Sequence, residues 1–199
     1  MSPATARPRP LPVSFYARDT VRVARDLLGA VLETRLNGER TAGRIVEVEA
    51  YVGPHDPAAH GYGNRRTRRN DWLFGPPGVV YAYFIYGNHW CVNVVTERSD
   101  FPSAVLLRAL EPLTGLDVMR RRRGVDRVPL LCAGPGRLCQ ALGITGALNG
   151  APLRGRTIRL LAGERVAPGR IAHGPRVGIS RATDWPLRFW IKGSQWASK

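Results

Sequence analysis

Apolar residues change their period along this chain, and the changes mark its elements. In "ARDTVRVARDLLGAVLE" Val21, Ala24, Leu27 and Leu28 recur at helical steps and share one face. Asp19 or Thr20 can cap that helix, and Gly29 can end it. The period then drops to two. "AVLETRL" and "TAGRIVEVEAYVG" read as strands around the turn "NGER". "VVYAYFIYGNHWCVNVV" reads as a second hairpin, joined at Gly87 and Asn88, and "SAVLLRALEP" as a further strand. "TGLDVMRRRRG" predicts a helix whose cations suit its C-terminus. "AGPGRLCQALGI" predicts a short helix entered through Gly134, Pro135 and Gly136. "RTIRLLAG", "PRVGIS" and "PLRFWIKGS" read as closing strands. Strands dominate, most neighbours look antiparallel, and there is no internal repeat. The expected fold is α+β, one mixed domain with a curved antiparallel sheet, flanking helices and a protruding hairpin. Residues 1–10 are expected to be a flexible Pro-rich tail and residues 11–199 the domain.

One strand is unusual. In "RIVEVEAYVG" alternation points Val46, Val48 and Ala50 to a core, and Glu47, Glu49 and Tyr51 the other way. Two solvated carboxylates on a half-exposed edge are one explanation. A cleft is the other: a carboxylate beside an aromatic ring is partly desolvated, which makes it a better general base. Nothing local chooses between Glu47 and Glu49. Arg108 raises a related question. A cation embedded in "AVLLRALEP" must be paired, and a carboxylate on a neighbouring strand would pair it.

Charge narrows the setting. The 199 residues hold 30 Lys plus Arg against 15 Asp plus Glu, a formal net charge of +15. Only Lys192 and Lys199 are lysines. This excess is the footprint of a nucleic-acid binder; a membrane-surface role is weaker, with no long basic amphipathic helix. The long loop "PHDPAAHGYGNRRTRRNDW" follows the glutamate strand, and its Arg65, Arg66, Arg68 and Arg69 have the sign of a phosphate-binding surface. The free amides near Gly134 could also hold a phosphate. In the hairpin, Tyr81 and Phe84 are expected to pack across strands. Tyr86, at the turn, could wedge between base pairs or stack on a base. Neither a transmembrane run nor a secretory apolar segment is evident. Cys91, Cys132 and Cys139 read as reduced, buried thiols of a cytoplasmic protein (at the nucleoid, if bacterial), and the four histidines lack metal spacing.

Taken together, "RIVEVEAYVGPHDPAAHGYGNRRTRRN", "FGPPGVVYAYFIYGNHWCVNVV", "AVLLRALEP" and "GPGRLCQAL" resemble the alkyladenine (3-methyladenine) DNA glycosylase family. The likeness is collinear over roughly residues 10–198, with "RVGIS" and "PLRFWIKGS" fitting its end. It implies a monomeric DNA repair enzyme, without metal or cofactor, acting on double-stranded DNA that contains damaged purines. Such enzymes flip the nucleotide out and hydrolyse its N-glycosidic bond with water. By the resemblance, Glu49 is the general base and Arg108 helps hold the water. Tyr51 and Tyr83 stack the flipped base, His60 contacts it, and Asn93 disfavours the 2-amino group of guanine. Tyr86 fills the gap left in the duplex. Asn88 departs from the family pattern, which commonly has Met or a similar apolar residue there, and the stretch between Asn93 and Arg108 is slightly long. A non-catalytic nucleic-acid binder would have no use for a carboxylate facing DNA. A lyase needs an amine, and Lys192 and Lys199 lie far from the motifs in sequence.

Overall fold

The computed structural model describes residues 9–198. In chain order they form helices α1 (Val13–Tyr16) and α2 (Thr20–Leu27), then strands β1 (Val31–Leu36), β2 (Glu39–Tyr51), β3 (Val80–Ile85), β4 (His89–Val95) and β5 (Ala104–Thr114). Helices α3 (Leu116–Arg123) and α4 (Pro135–Leu142) follow. Strands β6 (Ile158–Leu161), β7 (Ile171–Gly174) and β8 (Arg188–Ile191) close the chain. This is one α+β domain with an eight-stranded sheet whose named pairings are all antiparallel.

The sheet is organised around β2, which has neighbours on both sides. β5 runs along one edge from Ala42 to Tyr51. On the other edge β1 pairs up to Arg44, and β8 takes over from Glu47 to Glu49. Register then lines residues up across five strands: Arg188, Glu49, Leu106, Asn93 and Tyr81 stand opposite one another from β8 to β3. Directly paired residues face the same side of a sheet, so this row faces one way.

Helices α2, α3 and α4 cover the other face. Val23, Ala24 and Leu27 of α2, Met119 of α3 and Leu138, Ala141 and Leu142 of α4 join Ile45, Val48, Ala50, Val92 and Leu107 of the sheet in the main core. Asp19 caps α2 by accepting from the Arg22 amide at 2.9 Å, and Gly29 follows with φ 90°. The Thr20 hydroxyl is instead occupied by Glu97 at 2.7 Å, which anchors the Asn93–Arg108 connection to α2. On the opposite face of the sheet a smaller cluster, Leu73, Phe74, Val79, Tyr81, Val95 and Ala104, supports the loop after β2.

Four local expectations are corrected. Val46 does not join the main core. The pairing of β2 with β5 shifts register on both sides of Glu47, a bulge that puts two consecutive residues on one side. Ile45 takes the core position, and Val46 lines a surface hollow with Ile191 and Trp196. "PRVGIS" is irregular rather than a strand, while Ile171–Gly174, not foreseen, pairs with β8. The hairpin turn takes three residues, since Ile85 pairs with His89; Tyr86 and Gly87 both have positive φ, 55° and 74°. Arg9 and Pro10, expected in the tail, are attached to the end of β6: Pro10 bridges Leu161, and the Arg9 carbonyl accepts from the Ala162 amide at 2.9 Å. The rest of that tail lies outside the described residues.

Candidate active site

Glu47 and Glu49 of β2 are both fully buried, which removes the half-exposed edge. A buried carboxylate needs donors, and Glu49 has them. Its Oε1 accepts from the Val177 amide at 2.8 Å and lies 3.1 Å from Arg108 Nη1; its Oε2 accepts from the Tyr51 hydroxyl at 3.0 Å. Burial pushes the pKa of Glu49 above the usual glutamate value, and the nearby Glu47 adds to this. Arg108, the Val177 amide and the Tyr51 hydroxyl pull the other way without cancelling it. Tyr51 is driven up by burial and by the charge of Glu49, so it stays a phenol and a donor. Arg108, on β5 opposite β2, is also buried. It pairs with both glutamates, through Nε to Glu47 at 2.9 Å as well as Nη1 to Glu49. The expected ion pair with a neighbouring strand is therefore present twice.

Above these groups lies a cavity of about 370 Å³, toward the lower end of the roughly 300–1,000 Å³ common for small-ligand sites. Tyr51, His60, Tyr83, Asn93 and Arg108 all line it, with Tyr86 at its edge. Glu49 does not line it. Its partners Tyr51, Arg108 and Val177 do, so the carboxylate meets the cavity through them. The β3–β4 wall is aromatic: the His60 and Tyr83 rings meet edge to face at 4.5 Å, and Tyr81 and Tyr83 lie 5.7 Å apart. Tyr81, expected only to pack, also lines the cavity and bonds His60 Nδ1 through its hydroxyl at 2.7 Å. His60 keeps one exposed edge, yet the crowding around its ring, with the charge of Arg69, lowers its pKa. The imidazole is thus held toward its neutral form. Asn93 donates through Nδ2 to the Tyr81 carbonyl at 3.0 Å.

The outlying candidates divide. Tyr86 stands at the hairpin tip, 77% exposed, and Asn88 is exposed beside it. Arg65 and Arg68 are exposed and, among the described residues, unpaired. Arg66 is held by Asp71 at 2.7 Å and Asp100 at 2.9 Å, and Arg69 donates to the Phe84 carbonyl at 2.5 Å. Gly134 caps α4, whose next residue, Pro135, reaches the cavity.

Sequence reasoning missed Asp56 and Arg176. Their side chains are wholly buried and form a two-armed ion pair: Nη2 donates to Oδ1 at 2.8 Å, and Nη1 bonds Oδ2. Arg176 Nη1 also donates to the Ala50 carbonyl at 3.1 Å. The Arg176 guanidinium lies over the Tyr51 ring, 4.6 Å from its centre. Asp56 accepts from the Val52 and Ala58 amides as well. The pair ties the loop that carries His60 to the segment that carries Val177, and braces Tyr51. An arginine in "GPRVGIS", 120 residues from its partner, offers no local pattern to find it by; only its place among apolar residues hinted at burial.

The sequence matches the methylpurine-DNA glycosylase family over residues 14–195. The chain belongs to that family. Membership makes it a DNA glycosylase of the DNA-repair kind. Curated relatives named "Putative 3-methyladenine DNA glycosylase" are similar along nearly their whole length. The one from Methanoculleus marisnigri is 52% identical over 192 residues, covering 95% of this chain and 98% of its own. The one from Agrobacterium fabrum is 50% identical, covering 95% and 92%, and that from Myxococcus xanthus 45%, covering 95% and 93%. For a member of this family, the row from Glu49 to Tyr81 places a buried carboxylate and an aromatic-walled cavity on one side of the sheet.

Proposed function

We propose that this glycosylase takes a damaged purine nucleotide, alkylated or deaminated, out of duplex DNA into the cavity and hydrolyses its N-glycosidic bond with water. The observation that carries this reading is Glu49, a buried carboxylate with raised pKa beside a cavity walled by Tyr51, Tyr83, His60 and Asn93. A carboxylate has about four lone-pair positions, and among the described residues Oε2 of Glu49 holds only the Tyr51 bond. That leaves an acceptor position for a water, which reaches Glu49 from the cavity past Tyr51, Arg108 and Val177 as these side chains shift. Glu49 takes a proton from the water as its oxygen bonds C1′ of the sugar. The C1′–N bond breaks, and the base leaves with the electron pair. A cationic alkylpurine departs readily, so binding, flipping and water placement are the main tasks.

The purine stacks against Tyr51 and Tyr83, both of which line the cavity. If Tyr81 donates to Nδ1 of neutral His60, Nε2–H is left to donate to the base. Tyr86, exposed at a turn, fills the gap in the duplex. Arg65 and Arg68 meet phosphate, as does the amide end of α4 near Gly134, with Asn88 beside the tip. A monofunctional enzyme is supported by Lys192: its Nζ donates to the Gly169 carbonyl at 2.9 Å, and it borders a different hollow from the catalytic one. The test is incubation with duplexes carrying ethenoadenine, hypoxanthine or an alkylated purine, followed by alkali and a gel. Strand breaks that need alkali support the reading. Intact strands with every lesion refute it, and breaks formed without alkali refute the monofunctional part.

A further inference from the structure

Glu47 has no part in the chemistry above, yet it is as buried as Glu49 and is as fully partnered. Its Oε1 accepts from Arg108 Nε at 2.9 Å and from the Ser198 hydroxyl at 2.8 Å; its Oε2 accepts from the Ser198 amide at 2.5 Å. Arg188 Nε stands 3.3 Å from Oε1 but has no hydrogen-bond partner among the described residues, so it contributes charge rather than a bond. The Ser198 hydroxyl also accepts from Arg108 Nη2 at 3.2 Å. Each nitrogen of Arg108 therefore has its own destination: Nε at Glu47, Nη2 at Ser198 and Nη1 at Glu49. A guanidinium is planar and rigid, so holding two of its nitrogens aims the third.

We propose that Glu47 and Ser198 are positioning residues, a cradle that turns Arg108 toward Glu49 and makes the segment after β8 part of the active site. This rests on the glycosylase reading of Glu49 and Arg108. Without the cradle, Arg108 could close on Glu49 with both arms, as arginine does with a lone carboxylate. That would hold the carboxylate in its ionised form and weaken it as a base. With the cradle, the cation is divided between two glutamates. The charged or titratable groups around Glu49 are Glu47 and Tyr51 on β2, Arg108 on β5, Cys91 on β4, Arg188 on β8 and Arg176 behind Tyr51. Around Glu47 they are Glu49, Arg108 and Arg188. Removing the charge of Glu47 takes away a neighbour that opposes ionisation of Glu49 and frees Arg108 for it. Both changes lower the pKa of Glu49.

The experiment compares single-turnover excision by the wild type, Glu47→Gln, Ser198→Ala and Ser198→Thr across pH, alongside lesion-duplex binding. Hydrogen bonds to charged groups of this kind make a loss of about tenfold or more in excision rate the expectation for Glu47→Gln. Binding should stay at the wild-type level and the acid limb of the rate should move to lower pH. Ser198→Ala should lose rate in the same sense, and Ser198→Thr, which keeps the hydroxyl, should recover it. A purely structural role would not move the acid limb or be rescued by threonine. A wild type that excises while Ser198→Ala matches it in rate and pH profile overturns this inference and leaves the function intact; Ser198→Ala decides this even where Glu47→Gln does not fold. A wild type that releases no base overturns the function, and this inference with it.

Discussion

The floor and the rim of the cavity treat charge in opposite ways. On the floor, Glu47, Glu49 and Arg108 answer one another, as do Asp56 and Arg176, all buried. On the rim, Arg65 and Arg68 stand in water without protein partners among the described residues, next in sequence to Arg66, which two aspartates hold. The difference separates two tasks. Buried, mutually paired groups keep a fixed geometry, and burial raises the pKa of Glu49, both of which chemistry needs. Exposed, unpaired cations give long-range attraction to phosphate, which binding needs and which salt screens. Changes on the floor should therefore alter rate or folding, and changes on the rim should alter affinity and its salt dependence.

The largest effect should come from Glu49→Gln. Loss of a general base costs about 100- to 10,000-fold, and single-turnover excision should fall at least that far while duplex binding survives. Wild-type-like turnover would break the division at its centre. Its companion is the pH profile. Glu49 acts as a base only when ionised, and burial raises its pKa. Excision should therefore decline as pH falls, with a midpoint above the ordinary glutamate value of about 4.3. A rate that is flat through that range contradicts a buried base.

Next is Asp56→Ala, which leaves Arg176 buried without its carboxylate. Breaking such a pair costs about 3–5 kcal/mol, so urea unfolding should show a loss of that order; an unchanged midpoint would mean the pair does not brace the floor. Tyr86→Ala comes third. Removing an aromatic that stacks with bases costs about 1–3 kcal/mol, and here the loss should appear in affinity for lesion duplex, with folding unaffected. Equal affinity would take Tyr86 off the interface. The smallest effect, and the most specific, belongs to Arg65→Ala combined with Arg68→Ala. The slope of log affinity against log salt should become shallower by about 2, with the excision rate at saturating enzyme unchanged. An unaltered slope would place the phosphate contacts elsewhere.

Much of this site was legible in one dimension. Alternation alone put Glu47, Glu49 and Tyr51 on one side of a strand, because Cβ direction is a local property of extended backbone. The hairpin, the helix caps and the need for Arg108 to find a carboxylate were legible for similarly local reasons. Val46 was misplaced because the bulge beside it arises in the pairing of β2 with β5, more than fifty residues further along the chain. The two arginine runs show the same limit. "RRTRR" and "RRRR" look equivalent in sequence, but Arg121 and Arg122 of the second pair with Glu39 at the start of β2, and Arg123 donates to the Leu131 carbonyl at 3.2 Å. That run holds α3 to its neighbours. Half of the first is left to solvent.

By itself, then, the sequence determined where most helices and strands lie, that Glu47, Glu49 and Tyr51 share one side of a strand, and that the molecule carries a large positive charge. These follow from backbone geometry and from a sum over residues, neither of which depends on contacts far along the chain. The tertiary structure alone decided how the two glutamates differ. Glu49 gained Tyr51, the Val177 amide and a cavity beyond them; Glu47 gained Arg108 and Ser198 and was closed off behind. Both are buried carboxylates two residues apart, and their separate environments come from β5, the 175–181 segment and the stretch after β8. Burial and partner choice belong to segments that meet only on folding, which is why the strand could present both acids without distinguishing them.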